Sequence, residues 1–363
     1  MSLKIGIVGL PNVGKSTLFK ALTRKQVDIS NYPFCTIEPN VGIAQVPDER
    51  LWRIAECSRS KKIVTAIVEF VDIAGLVKGA AEGQGLGNTF LQHIKEVDAI
   101  AHVVRAFDDP DITHVAGSPN PLSDIDVIEY ELILKDLETV SKREASLEKE
   151  VRARRKGADD EAARLQKIAS ALKSGHPAST VIKEWNNDDP NPDITALQLL
   201  TEKPVIYVFN ASEKQLQEKW MPDSALQKRT GSDPFVIISA KLESELSELS
   251  DEESKKFLQS FGIETSGLDA LIRTGYQTLG LITFFTTGED ETRAWTIPAG
   301  SSAPRAGRAI HSDFEEKFIR AEVIDWEKLI EAGSWANARE RGWLRTEGKE
   351  YVVQDGDVVE FKI

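Results

Sequence analysis

Apolar runs of about five or six residues alternate with amphipathic stretches across residues 1–126 and again across 195–278. That rhythm predicts an α/β domain in two pieces: a doubly wound, mostly parallel sheet with helices on both faces. Its strands fall at Lys4–Val8 and at 66–71, 99–104, 204–209 and 235–239. Each strand stops where a distinctive loop begins, at the edge of an open α/β sheet where ligands bind. Between the two pieces the period changes. Ile133, Leu137, Val140, Leu147 and Val151 are spaced 4, 3, 7 and 4 apart, a heptad-like seam flanked by charges that predicts one long helix. Gly157-Ala158-Asp159-Asp160 interrupts it, and Leu165, Ile168 and Leu172 resume the stripe, so 127–194 reads as an antiparallel helical hairpin inserted into the sheet domain. From 279 to 363 the pattern becomes strand-like at 282–286 and 293–297, helical and amphipathic at 313–322, and strand-like again at 358–363, which predicts a small α+β domain.

Composition changes this picture little. A chain of 363 residues is too long for one ordinary core, which agrees with two or three domains. Apolar content of 41% is ordinary, no apolar run approaches the roughly 18 residues of a membrane span, and Met1 leads straight into a strand, so a cytoplasmic protein without a membrane anchor is expected. Cys35 and Cys57 cannot build a disulfide framework and show no metal-ligand spacing. Cys35 borders Thr36 in a loop, where oxidation would alter ligand handling, although an indifferent thiol is the plainer reading. The net charge of −13 argues against nucleic acid wrapped over the whole surface and confines any RNA contact to a local patch.

The chemistry is concentrated at the strand ends. Gly9-Leu10-Pro11-Asn12-Val13-Gly14-Lys15-Ser16 follows the first strand and opens a helix, as a P-loop does. Glycines let backbone amides from Asn12 to Thr17 curl around phosphate oxygens, Lys15 reaches the β and γ phosphates, and Ser16 ligates magnesium. Asp72-Ile73-Ala74-Gly75 follows the second strand as Asp-x-x-Gly, with Asp72 expected to hold Mg2+ and the Gly75 amide to sense the γ-phosphate. Thr36, in a proline-bounded loop, suits a first switch that completes the metal shell.

Two positions depart from an ordinary GTPase. Leu76 stands where a glutamine would orient the attacking water. Asn210-Ala211-Ser212-Glu213 stands where a guanine reader has Asn-Lys-x-Asp, which damages guanine selectivity and makes Asn210 the expected adenine contact; a loop that still reads guanine stays open. Ser239-Ala240-Lys241 fits the last base-contacting loop, a weak signal by itself.

Taken together, these motifs, with Asp72 through Ala80, Gly83-Gln84-Gly85-Leu86-Gly87-Asn88 and Arg308-Ala309-Ile310-His311-Ser312-Asp313-Phe314, resemble the YchF-type Obg-like ATPases over nearly the whole chain. The resemblance implies a P-loop G domain (1–126 and 195–278), a coiled-coil hairpin (127–194) and a C-terminal TGS domain of β-grasp type (279–363). It also implies ATP preferred over GTP, ribosome association, a K+ ion held partly by Asn12, and a hydrolytic histidine at His114. Without the resemblance, His114 is one loop histidine among five, and His93, His102, His176 and His311 carry no such argument; His102 reads as core. Ala211 departs from members with a larger apolar residue there.

Basic residues at the hairpin tip (Arg152, Arg154, Arg155, Lys156) and in the C-terminal unit (Arg305, Arg308, Lys317, Arg320, Arg339, Arg341, Arg345) suggest phosphate contacts with RNA on the large subunit or the whole ribosome, or else solvated helix faces paired with carboxylates. The expectation is a monomeric, slow Mg2+-dependent ATPase switch. Two alternatives stay open, a nucleotide-gated ribosome or RNA-binding module with incidental hydrolysis and a true GTPase.

Overall fold

The computed structural model describes residues 3–24, 40–73, 88–110, 112, 119–185 and 192–363. The first piece of the α/β domain runs β1 (Lys4–Val8), α1 (Lys15–Arg24), β2 (Val41–Gln45), α2 (Glu49–Ser58), β3 (Lys62–Val64), β4 (Ile67–Asp72), α3 (Asn88–Lys95) and β5 (Ala99–Arg105). β1 and β5 are buried along almost their whole length, as central strands of a parallel sheet covered on both faces must be.

The insertion is built on α4 (Pro121–Arg152), 32 residues long and thus about 48 Å. Asn120 caps it by accepting from the Ser123 amide, and Pro121 occupies the first turn, where no N–H is needed. The helix starts ahead of the expected boundary at 127. Ile125, Ile128 and Leu132 pack on the sheet domain, and only from Ile133 does the seam join Val140 and Leu147 to Leu165, Ile168 and Leu172 of α5 (Ala158–Lys173). Beyond the short α6 (Ser179–Ile182) and α7 (Pro192–Thr195), the chain returns through a tight turn whose main chain is fixed by buried Asp136 of α4. Asp136 accepts from the amides of Leu200 and Thr201, both at 2.8 Å, and from the Thr201 hydroxyl at 2.6 Å.

The second piece supplies β6 (Val205–Asn210), α8 (Glu213–Gln217), α9 (Ser224–Thr230), β7 (Phe235–Ile238), α10 (Ala240–Leu246), α11 (Asp251–Ser260) and α12 (Gly267–Thr278). The sheet order is β2-β4-β1-β5-β6-β7, parallel except for β2, which runs antiparallel to β4.

The C-terminal unit contains β8 (Leu281–Thr287), β9 (Glu291–Pro298), α13 (Ala303–Arg308), α14 (Ser312–Glu316), β10 (Arg320–Asp325), α15 (Trp326–Ala332), α16 (Trp335–Glu340), β11 (Arg345–Glu347) and β12 (Asp357–Lys362). The helix expected at 313–322 is corrected here: α14 stops at Glu316, and Arg320–Asp325 is a strand paired antiparallel with β12. Ala321 and Val323 point inward while Arg320 and Glu322 do not, a period of two that outweighs the helical reading. A second departure is that β3, from the sheet domain's own sequence, pairs parallel with β9 and becomes the edge of the C-terminal sheet, ordered β11-β10-β12-β8-β9-β3. One hydrophobic core accordingly runs from Ile5 and Ile54 through to Phe285, Ala294, Ile324, Leu329 and Val358.

Candidate nucleotide site

The loop between β1 and α1 takes its shape from residues that tolerate unusual backbone angles. Gly9, at φ +147°, passes so close to β5 that a Cβ would lie 2.3 Å from the Val103 carbonyl oxygen. Gly14, at φ +104°, would place its Cβ 2.3 Å from Asn210 Nδ2, and Asn12 itself sits at φ 62°. The amides of this turn and of the start of α1 therefore converge on one hollow, an anion cradle with the positive end of the helix dipole behind it. Lys15 opens α1 with its side chain buried, and its Nζ donates to the Leu10 carbonyl at 2.5 Å. Burial lowers its pKa to about 8, against a smaller upward pull from Asp72. Asp72 ends β4 in register with Ile7 of β1 and is itself buried, so a carboxylate is held at the end of the strand next to β1.

A cavity of about 610 Å³ opens from this cradle between the ends of β5, β6 and β7. Of the residues expected to bind nucleotide, Asn12, Gly14, Lys15, Ser16, Thr17, Asn210, Glu213, Ser239, Ala240 and Lys241 line it. Val13 is buried and contributes its carbonyl to Asn210. Ser239 caps α10, its hydroxyl accepting from the Leu242 amide. Thr36, Gly75, Leu76 and His114, with Cys35, lie outside the described residues. Ser16 offers a hydroxyl to the cavity and Asp72 a nearby carboxylate, hard oxygen donors of the kind Mg2+ takes together with phosphate oxygens. Among the described residues no cluster of three or more His, Cys, Asp or Glu gathers.

Asn210 lines the cavity and is also held on the protein side. Its Nδ2 donates to the Val13 carbonyl at 2.8 Å and its Oδ1 accepts from the Ala240 amide at 2.9 Å, with the residue 4% exposed. The amide expected to contact adenine thus also ties the phosphate loop to the start of α10, and its NH2 group carries a second donor. Glu213 is also engaged, 3.0 Å from the Lys241 ammonium. Sequence reasoning missed Phe107, Asp108, Asp109 and Ile112 as cavity lining; their position just past a parallel strand end was the available signal. His102 is buried beside Tyr207, and burial drives its pKa down to about 3, so it is a neutral core residue as expected.

Elsewhere the expected basic patches are largely neutralised. Arg155 and Arg143 form a network with Glu150 and the buried Glu161 at the hairpin tip. In the C-terminal unit Arg308 pairs with Glu315, Lys317 with Asp313, Arg339 with Glu322 and Arg345 with Asp357.

A parallel sheet ending in a phosphate loop, a magnesium-type carboxylate on the neighbouring strand and a cavity between the next three strand ends define a P-loop nucleotide-binding protein of the GTPase fold. Residues 4–149 match the family described as 50S ribosome-binding GTPase, and residues 281–363 match the C-terminal YchF-GTPase family, described as a protein of unknown function. The chain is 50% identical to the ribosome-binding ATPase YchF of Bacillus subtilis, covering 100% of this chain and 99% of that protein. It is 44% identical to the protein of the same name from Escherichia coli O157:H7, covering 99% of each. The structure of the Schizosaccharomyces pombe YchF GTPase superposes with a TM-score of 0.87 at 38% identity, over 99% of this chain and 98% of that one. The chain belongs to the YchF family.

Proposed function

We propose that this protein is a ribosome-associated, Mg2+-dependent nucleoside triphosphatase that prefers ATP and turns over slowly as a switch. The observation that carries this reading is the phosphate loop, in which the buried Lys15 and Ser16 open α1 at the cavity while the buried Asp72 lies near enough to favour the lysine's charge. Such a site stabilises charge that builds on the transferring phosphoryl group as water attacks in line. Lys15 binds the β and γ phosphates; Ser16 and Asp72 would hold the magnesium, with Thr36 expected to complete its shell, and the metal supplies neutralising charge when bound. The roles of Gly75 as a γ-phosphate contact and of His114 in placing water rest on the resemblance of the sequence to its family. So do the K+ ion beside Asn12, the Obg-like grouping, the TGS reading of 279–363, the cytoplasmic location and the monomeric state. Among the described residues no helix is long and apolar enough to cross a membrane.

Weaker binding of GTP gains support from the Glu213–Lys241 pair, because a carboxylate already held by an ammonium is a poorer acceptor for guanine N1–H and its 2-amino group. The ribosome as partner is supported by the names of the relatives, and the large subunit by the description of the matched GTPase family. Competition of ATP against GTP for the free protein tests the nucleotide preference. Tighter binding of GTP by about tenfold, about 1.4 kcal/mol, would overturn it and leave a true GTPase. Repeating the titration with ribosomes and at two K+ concentrations checks the partner and the monovalent ion.

A further inference from the structure

β5 ends in Arg105, whose side chain is fully buried. Its guanidinium is spread over one short loop, with Nε donating to the Phe107 carbonyl at 3.0 Å, Nη2 to Asp109 at 3.1 Å and Nη1 to Ile112 at 3.1 Å. The same group lies 4.7 Å from the centre of the Phe107 ring. Burying a guanidinium is tolerable only when its donors are met, and here a rigid planar fork meets three carbonyls of a single turn, so what the burial secures is the shape of that turn. A second grip comes from α8. Gln215 donates from Nε2 to the Ala106 carbonyl at 2.8 Å, while its Oε1 accepts from the Ser212 amide at 2.8 Å in the capping box of α8. The main chain joins the two loops as well, the Ala106 amide donating to the Asn210 carbonyl at 2.8 Å.

Phe107, Asp108, Asp109 and Ile112 of the gripped loop line the cavity together with Glu213 and Lys241. Asp109 is near enough to Lys241 to favour its charge. We propose that Arg105 and Gln215 are positioning residues that hold residues 106–110 and 112 and thereby set how the base and ribose end of a nucleotide fits, leaving the phosphate end untouched. This rests on the nucleotide reading above. A lysine at 105 keeps the charge but loses the fork, and a glutamate at 215 keeps the capping acceptor but loses the donor to Ala106.

The test compares binding of Mg–ATP and of Mg–tripolyphosphate, which has no base or ribose, to the full-length protein and to the Arg105→Lys and Gln215→Glu variants. The expected result is a loss of about tenfold in ATP affinity for both variants, with tripolyphosphate affinity held within about twofold. Parallel losses for both ligands would show general loosening and overturn the inference, as would ATP affinity unchanged in both variants. Should circular dichroism show that Arg105→Lys does not fold, Gln215→Glu decides the matter alone, since its helix cap is retained. A parent protein that binds neither ligand defeats the nucleotide reading itself, a result separate from any effect of the variants.

Discussion

Lys15 is a lysine kept out of water before any ligand arrives, and its lowered pKa of about 8 has a measurable consequence. Triphosphate binding favours the ammonium, so above pH 8 the free protein must take up a proton to bind. ATP affinity should fall as pH rises through 8, approaching tenfold per unit, and calorimetry in buffers of different ionisation enthalpy at pH 8.5 should register the proton uptake. The same burial costs stability while the lysine is charged in both folded and unfolded chains. The unfolded chain holds the extra proton between about pH 8 and 10.5, so this group's contribution to stability rises with pH across that window. Asn210 gives a second test at this scale. Because its amide joins Val13 to Ala240, Asn210→Ala should weaken ATP and GTP alike, by about 1–3 kcal/mol each from lost and unmet hydrogen bonds. A loss confined to ATP would show that adenine contact is its main role.

The hairpin and the phosphate loop were legible in the chain because their signals are local: a seam at heptad spacing, and glycines at fixed offsets between a strand and a helix. What anchors the hairpin was not legible, since Asp136 looks like any charged position on a helix until Leu200 and Thr201 return beside it. Asp136→Ala would leave two buried amides unmet, and it should lower stability by about 2–4 kcal/mol in urea denaturation while ATP affinity stays at the parent value. The grip of Arg105 on the loop after β5 was hidden for the same reason: a lone arginine at a strand end has no pattern. The α14–β10 region failed differently. Its residues alternate over too few positions for the strand period to outweigh the helical one, and pairing with β12, close to the end of the chain, settled the contest.

At the scale of the molecule, the tidy division of the sequence into domains conceals an exchange. α2 packs Leu51 and Ile54 into a core shared with Leu329 and Val358, β3 completes the C-terminal sheet, and Arg50 bridges Asp48 to Asp355 at 2.7 Å. Residues that lie 229 positions apart in sequence, such as Ile63 and Thr292, are partners in one ladder, which no local period reports. The α/β domain and the C-terminal unit should therefore unfold together in a single calorimetric transition, and removal of 281–363 should leave an aggregating fragment that exposes the face of α2. Two well-separated transitions would contradict a shared core. All of the functional reading depends on the cradle at the head of α1, and turnover by Lys15→Met tests it most directly. Replacing the ammonium with an apolar side chain of similar length suits its buried site, and ATP hydrolysis by the folded variant should drop by about 100-fold or more. Hydrolysis at the parent's rate by that variant would contradict the account.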